Sequence, residues 1–473
     1  MDPVSQSLGI LDLPCELLFM VFEELKASCW DPDKRKMRIY KIQAIRNVRL
    51  TCQRFCSTSS HLLLDSVTVE MNLRSVQRFQ DISQHPLIAP GVRSIRILLH
   101  YYNGSLVEDL SAYEIYNAGK IRGIVRNLEW EMNHHSRQYT DIFLNRTREG
   151  CRQAMKIAEA WEHPGQSDDE GLFKRMARSG HDIYRSLYEE QELLREQRRF
   201  TRHVAEGMAR MSGARELEFC DPGFSYKPAS NYDLMEYGKM MKMLASPSPW
   251  DDGEEFYPAS PPCEIVFDLP LTLREIGVQL TSLRIDVSLH RPEIDVPSQE
   301  HSANLTAAMQ SLRRFKYVYG ELCYGQPIYH YTFAVLDNSS IEEIHLNRFP
   351  NPSECVFEQM IPQRDYPSLK KMRLESCLFH LRCLSRFLNG CNPAVFKHLD
   401  LHVMDLLDGT WAETLGILKG SCLDYFSIGC HMGGGSLILG DELWQVKWDD
   451  DCPIQFWRQL NIHHVAREIS SHD

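Results

Sequence analysis

The sequence has no cysteine pair in C-x-x-C spacing, no long hydrophobic run and no excess of positive charge. Its 15 cysteines are odd in number and scattered, which is typical of free thiols in a reducing compartment. No apolar stretch approaches the length of about 18 residues that a membrane span needs. The N-terminus also lacks the basic start and apolar core of a secretory signal. These absences predict a cytoplasmic or nuclear protein that enters no membrane.

The charge balance excludes one class of partner. The chain has 52 basic and 64 acidic residues, a net charge of -12, whereas a general nucleic-acid binder needs a basic face to neutralise phosphates. The short basic run at residues 34–36 is interpreted as a solvated segment, with a localisation signal as the alternative. We therefore predict no nucleic-acid partner.

The sequence contains no recognisable catalytic motif. Phosphate-binding glycine loops, H-E-x-x-H and G-x-S-x-G are all missing, and the glycine run at residues 433–436 has no following lysine. Cys377, His380, Cys383 and Cys391 could be drawn as zinc ligands, but structural zinc sites show tighter C-x₂₋₄-C pairs. Buried thiols are the favoured interpretation, and we predict a protein without enzymatic activity, cofactor or metal.

The segment LDLPCELLFMVFEEL, residues 11–25, indicates an unusually apolar helix. At about 100° per residue, its leucines, valine and phenylalanines fill an arc of roughly 200°. The three glutamates share the remaining arc with Met20. Since a surface helix needs an apolar stripe of only about 100°, this helix is expected to pack on two sides.

Two further helices are predicted after it. A charged connection over residues 31–41 precedes Ile45, Val48, Cys52 and Phe55, whose spacing is that of a second amphipathic helix. Polar residues at 58–60 are able to cap a third short helix that carries three leucines. Residues 11–65 therefore predict a compact three-helix unit.

Downstream, a six-residue pattern of the form L-x-x-L-x-L recurs. It occurs at Val92-Ile95-Ile97, Ala214-Leu217-Phe219, Leu280-Leu283-Ile285, Leu312-Phe315-Tyr317, Ile341-Ile344-Leu346, Leu369-Met372-Leu374, Phe396-Leu399-Leu401 and Leu423-Phe426-Ile428. The third to last of these advance by 32, 29, 28, 27 and 27 residues. Such regular spacing indicates stacked units, each with a short strand and a returning helix. An irregular leucine-rich-repeat solenoid is favoured over an unrelated α/β domain with evenly spaced strands.

The chain is too long, at 473 residues, for one typical core. The predicted organisation is mixed α/β: a three-helix unit at 1–66, a connector with the first repeat-like unit at 67–102, a helical insertion at 103–213 and a repeat domain at 214–473. Within the insertion we expect helices near 113–130, 147–161 and 172–211.

The three-helix unit resembles an F-box. The residues that carry the resemblance are Leu13-Pro14-Cys15-Glu16-Leu17-Leu18, Val21-Phe22, Leu25 and Val48-Arg49-Leu50-Thr51-Cys52-Gln53-Arg54-Phe55. They follow the F-box form L-P-x-E-[IL]-[IL]-x-x-[IV]-[FL]-x-x-L and its second segment, although the connection between the two is about ten residues longer than usual. The layout of the remaining chain resembles that of F-box proteins of filamentous fungi with degenerate leucine-rich repeats.

The resemblance implies a substrate receptor of an SCF-type ubiquitin ligase, in which the F-box binds a Skp-family adaptor held by a cullin scaffold. The implied adaptor-binding residues are Leu13, Pro14, Glu16, Leu17, Leu18, Val21, Phe22, Leu25, Val48, Leu50 and Phe55. The alternative is an interaction scaffold outside any ligase that uses the same F-box and repeats.

The protein substrate is not identified by the sequence. Exposed positions of the predicted strands are candidates to bind it: Arg284, Asp286, Lys316, Glu343, His345, Arg373, His398 and Asp400. The C-terminal Trp444, Trp448 and Trp457 are expected to cap the last repeat, with an aromatic anchor for a partner as the alternative.

Overall fold

The computed structural model describes residues 9–28, 34–134, 140–163, 170–220, 237–248, 250, 261–287, 299–318, 329–347, 357–433, 438–439, 442–443 and 454–457. Predictions made for residues 31–33, 444 and 448, and for most of the glycine run at 433–436, lie outside them.

Three helices form the N-terminal unit: α1 (Cys15–Ser28), α2 (Lys34–Arg49) and α3 (Gln53–Ser59). Their shared core contains Leu18, Phe22, Ile45, Phe55 and Leu62, each at most 8% exposed. The Phe22 and Phe55 rings meet edge to face with centroids 5.1 Å apart. Three short helices thus close around a small aromatic and aliphatic centre, as the apolar periodicity predicts.

The boundaries inside this unit differ from the prediction. Most of the segment predicted as a charged connection is helical, because α2 already begins at Lys34. The predicted second helix ends at Arg49, and Cys52 lies in extended backbone, where its sulfur accepts the Phe55 backbone N–H and caps α3. Contrary to the spacing, Cys52 and Phe55 are therefore not on the second helix, and Phe55 lies in α3. The predicted third helix is replaced by α3 and a 3₁₀ turn at Ser60–Leu62.

Nine parallel strands follow in chain order within the described residues: β1 (Ser66–Glu70), β2 (Ser94–Leu98), β3 (Glu216–Cys220), β4 (Ser282–Asp286), β5 (Arg314–Val318), β6 (Glu343–Asn347), β7 (Lys371–His380), β8 (His398–Asp408) and β9 (Tyr425–Gly433). A hairpin of β10 (Ile438–Leu439) and β11 (Glu442–Leu443) comes next. Finally β12 (Ile454–Trp457) pairs antiparallel with β9. The predicted mixed α/β class is confirmed, and each of the eight repeated patterns contributes to a strand from β2 to β9.

Over the first residues of each parallel strand the pairing has no offset, so like positions form rows across the sheet; the register shifts only further along, between Phe379 and His380 of β7. One apolar row consists of Val67, Ile95, Leu217, Leu283, Phe315, Ile344, Met372, Leu399 and Phe426, all at most 9% exposed. A second row lies two residues further along each strand and contains Val69, Ile97 and Phe219. Because side chains alternate across a strand, both rows face the same core.

The helices after α3 are α4 (Leu73–Gln84), α5 (Gly104–Glu108), α6 (Leu110–His134), α7 (Asp141–Glu162), α8 (Glu170–Arg195), α9 (Arg199–Arg210), α10 (Tyr237–Leu244), α11 (Glu264–Glu275), α12 (Gln299–Ala308), α13 (Tyr329–Leu336), α14 (Phe357–Met360), α15 (Leu381–Gly390) and α16 (Trp411–Gly420). Consecutive members α9, α11, α12, α13 and α14 contact one another, and α4 contacts α9. Residues from these helices join the core beneath the two apolar rows. One face of the sheet is thereby covered by helices.

Helices α5 to α8 lie between β2 and β3, where the insertion is predicted. Small and aliphatic residues of α6 and α7, among them Ala118, Ile121, Ala154 and Ile157, share a separate core with Met240 of α10. The insertion core therefore recruits a helix that lies beyond residue 213.

The predicted helix over 172–211 is two helices. Gln197 and Arg198 adopt positive φ values of 53° and 57°, and the backbone breaks between α8 and α9. Since α9 contributes Phe200, Val204 and Met208 to the core under the sheet, the break redirects the chain from the insertion to the helical layer. Among the described helices, none combines the length and the apolar character needed to cross a bilayer.

Candidate protein-docking surfaces

The first helix has two apolar faces with opposite surroundings. Leu18 and Phe22 are 0% and 2% exposed and lie in the three-helix core, whereas Leu17, Met20 and Val21 are 46%, 64% and 43% exposed. Positions 17, 20 and 21 are spaced i, i+3, i+4 and so share one side of the helix. We call these three residues the outer helix face. It is an apolar surface without a covering element among the described residues.

The backbone in front of this helix is held by Arg54 of α3. The Arg54 guanidinium donates hydrogen bonds to the carbonyl oxygens of Leu11 and Leu13. The Gly9 backbone N–H donates to the Asp12 carboxylate at 2.8 Å. Ile10 and Leu11 are consequently fixed beside α1 although they are 51% and 52% exposed. These three hydrogen bonds hold Ile10 and Leu11 where they extend the apolar surface beyond the helix itself.

The structure divides the eleven implied adaptor-binding residues into three groups. Exposed are Pro14, Glu16, Leu17, Val21 and Leu50; half-buried are Leu13, Leu25 and Val48; buried are Leu18, Phe22 and Phe55. A residue that is already buried has no surface left to lose to a partner. The buried residues hold the helices together, and only the other two groups are able to contact an adaptor.

Sequence reasoning missed three residues of this surface. Met20 falls among the glutamates on the helical wheel, yet it is the most exposed large apolar residue of α1. Its spacing of three from Leu17 was the available signal. Ile10 lies before the segment predicted as a helix and Leu11 at its start, both ahead of α1, and the position of this backbone depends on the hydrogen bonds from Arg54.

The second surface is the polar side of the sheet. Strand alignment brings residues from seven strands into one row, which we call the central polar row: Arg96, Glu218, Arg284, Lys316, His345, Arg373 and Asp400. Five of the eight predicted substrate-binding residues belong to this row. Glu343 and His398 lie in the preceding polar row and Asp286 in the following one.

Both arginines near the middle of the central polar row are ion-paired away from its centre. The Nε atom of Arg284 lies 3.3 Å from Oε1 of Glu218, and its Nη2 atom lies 3.0 Å from Oδ2 of Asp286. The Nε atom of Arg373 lies 2.7 Å from Oε1 of Glu375 and 3.5 Å from Oδ2 of Asp400. The two guanidinium groups therefore bracket the two residues between them, one on β5 and one on β6.

Lys316 and His345 occupy the bracketed positions. Burial and the neighbouring Arg284 and Arg373 lower the pKa of Lys316 below its usual value. Burial, together with Lys316, Arg373 and nearby cations, lowers the pKa of His345 to about 3. At neutral pH the imidazole is therefore uncharged. Its Nε2 atom is buried and has no hydrogen-bond partner among the described residues.

The cationic groups of the central polar row reach further into solvent than most of their partners. The side chains of Arg284 and Arg373 are 40% and 39% exposed, against 21% for Glu218 and 12% for Asp400. The carboxylates are thus nearer to the sheet than the guanidinium groups, so a molecule that approaches from solvent contacts positive charge first. At the end of the preceding row, the His398 ring stacks on Tyr425 with centroids 4.1 Å apart.

The cysteines considered as zinc ligands lie in different surroundings. Cys377 is completely buried in the apolar side of β7, and Cys391 is 5% exposed after α15. Burial raises the pKa of the Cys391 thiol to about 12, which disfavours the thiolate that binds metal. Among the described residues, no group of three or more His, Cys, Asp or Glu side chains is arranged to hold a metal ion.

The C-terminal tryptophans are only partly described. Trp457 is the last residue of β12, where its backbone lies opposite Tyr425 of β9.

In comparisons with known proteins, no family model matches the sequence and no curated protein shows significant similarity to it. The two surfaces described above are therefore the features that bear on function.

Proposed function

We propose that this protein is the substrate-recognition subunit of an SCF-type ubiquitin ligase. In this proposal the N-terminal three helices are an F-box that binds a Skp-family adaptor, and the sheet with its helices is a leucine-rich-repeat-like solenoid that binds the target protein. The observation that carries the proposal is the outer helix face, because Leu17, Met20 and Val21 leave α1 apolar on the side opposite its own core.

The outer helix face is large enough to contribute to binding and too small to suffice alone. Complete burial of a large apolar side chain is worth roughly 1.5–3 kcal/mol, so three side chains that are already half-covered supply about 2–5 kcal/mol. Association costs about 4–15 kcal/mol. Ile10, Leu11 and the half-buried Leu13 are the neighbours from which the rest would come.

The polar side of the sheet supports the second half of the proposal. Helices cover the apolar side, and charged residues of several strands stand in register on the other. A receptor of this kind makes and breaks no bond itself. It raises the effective concentration of substrate lysines beside a ubiquitin-charged enzyme, which is catalysis by proximity.

The test is co-purification of the full chain with a Skp-family adaptor, probed also for cullin. The variant is Leu17→Asp/Val21→Asp, which places two charges in the outer helix face and leaves the three-helix core intact. Ile142→Asp is the matched control, because Ile142 of α7 is 82% exposed in the insertion. We expect the wild type and the control to retain adaptor and cullin, and the double variant to lose both.

Two other results would change the conclusion. Retention of adaptor without cullin supports the interaction scaffold in place of the ligase subunit. The proposal is refuted if the wild type and the double variant retain adaptor equally. It is also refuted if neither of them retains adaptor.

A further inference from the structure

Lys316, at the centre of the central polar row, is a cation that makes no ion pair with a described residue. Arg284 and Arg373 each contact two carboxylates. Lys316, between them, has neither an ion pair nor a hydrogen bond to a described residue. Burial and the two guanidinium groups lower its pKa, and Asp286 and Glu375 offset this only in part. A cation that is partly desolvated beside other cations is stabilised by an anion from outside.

The surroundings of Lys316 limit the size of that anion. Neighbouring strands are about 4.8 Å apart, so the three strand intervals from Arg284 to Arg373 span about 14 Å. Beyond the two arginines, Glu218 and Asp400 lie in the same row and would repel additional negative charge. The geometry fits one anionic group on Lys316 with guanidinium groups on either side.

The same carboxylates disfavour a nucleic acid. The backbone of a nucleic acid carries a negative charge at every nucleotide. Once it extended past the arginines, its phosphates would be repelled by Glu218 or Asp400. The net charge of -12 acts in the same direction. A peptide is the better fit, because it can present one anionic side chain flanked by neutral or basic ones.

We propose that the sheet binds a segment of a partner protein through a single acidic or phosphorylated side chain that pairs with Lys316 between Arg284 and Arg373. That the partner is a ubiquitination substrate rests on the proposed function. The binding step itself does not involve the N-terminal helices. Carboxylate and phosphate share the required chemistry, and the experiment separates them.

The experiment uses peptide libraries with a fixed central residue and degenerate flanks. Four libraries carry phosphoserine, glutamate, glutamine or lysine at the centre, and each is passed over the immobilised full chain. We expect retention of the phosphoserine library, the glutamate library or both above the glutamine and lysine libraries. The library that is retained more strongly identifies phosphate or carboxylate as the ligand.

Variants at Lys316 assign the site. Lys316→Gln should weaken retention of the anionic libraries about tenfold, as expected for loss of one charge-assisted hydrogen bond. Lys316→Arg should restore it, and Lys156→Gln, an equal change of charge on exposed α7, should leave it unchanged. Because Lys316 has like-charged neighbours, Lys316→Gln should melt at or above the wild-type temperature.

Equal retention of all four libraries, wild-type retention by Lys316→Gln, or displacement of the peptides by an RNA oligonucleotide would overturn the proposal. These outcomes are independent of the adaptor experiment. If the chain retains anionic peptides but no adaptor, the proposed ligase role is refuted and the peptide site is supported. If it retains adaptor but shows no preference for anionic peptides, the peptide site is refuted and the proposed ligase role is not.

Discussion

Leu17 and Leu18 are adjacent in sequence, yet Leu17 is 46% exposed and Leu18 is completely buried. The boundary between the interior of the three-helix unit and its outer surface passes between these two side chains. Two leucines therefore have different roles: Leu18 packs in the three-helix core, and Leu17 belongs to the outer helix face. Substituting each in turn distinguishes these roles.

Leu18→Ala should destabilise the N-terminal unit by about 2–5 kcal/mol, because it removes buried methyl groups and leaves a cavity. Leu17→Ala should change the stability by less than about 0.5 kcal/mol, since the side chain faces solvent. Hydrogen exchange of the α1 backbone amides measures both effects. Equal protection in the two variants would contradict the assignment of the two faces.

Asn338 should be a stabilising residue of the sheet domain. Its side-chain amide donates to the Met309 and Leu312 carbonyl oxygens at 2.6 and 2.9 Å, and its oxygen accepts the Ser340 backbone N–H at 2.8 Å. Asn338→Ala removes all three hydrogen bonds, although the Met309 carbonyl still accepts the Leu312 backbone N–H. We expect a cost of about 1–3 kcal/mol. Thermal melting measures the loss.

Asn392→Ala is the matched control, because the side chain of this exposed asparagine accepts the Ala394 backbone N–H at 3.0 Å and bridges no buried groups among the described residues. Its melting temperature should remain close to that of the wild type. A comparable decrease in both variants would show that the buried network adds nothing.

Gly207 should be required for the contact between α4 and α9. A Cβ atom at this position would lie 2.1 Å from Cε1 of Phe79, which is completely buried. Gly207→Ala should therefore destabilise the chain by about 1–3 kcal/mol through overpacking. Gly123→Ala in α6 meets nothing within 4 Å and should stabilise by about 0.5–1 kcal/mol. Denaturant titration of both variants distinguishes these opposite signs.

His345 should make the protein less stable in acid. The pKa of His345 is about 3 in the folded chain, below its ordinary value of about 6.5 in an unfolded chain. Between these values the unfolded state binds a proton that the folded state does not, so stability falls as the pH falls below about 6.5. His345→Gln should lose less melting temperature than the wild type between neutral pH and pH 5. A parallel decrease in both proteins would refute this contribution.

The sequence predicts the repeated strands because burial on a sheet leaves a strict pattern. Each of the eight patterns places two apolar side chains two residues apart, and these are the positions that form the apolar rows. β1 has the same pattern at Leu64, Val67 and Val69, and it was not recognised because Leu64 was assigned to the predicted third helix. The break at Gln197 and Arg198 is not predicted, since both are good helix formers and only tertiary packing of α9 favours the turn.

The sequence predicts only part of the two candidate docking surfaces. A helical wheel predicts that α1 is apolar over a wide arc, but it does not determine which side packs inward, and Met20 was therefore overlooked. The shared position of Lys316 and His345 within the pattern predicts that they are neighbours in the sheet. The choice of Arg284 and Arg373 to turn towards carboxylates on either side depends on side-chain conformations that no periodicity records.

The antiparallel pairing of β12 with β9 has a consequence for the solubility of the chain. Without β12, the outer backbone N–H and C=O groups of β9 would form an unpaired edge, and a strand from another molecule could add to it. β12 covers residues 425–428 of β9 and presents an edge of only four residues, and short edge strands limit such addition. A chain truncated before Ile454 is expected to aggregate for this reason, even with every residue of the central polar row in place.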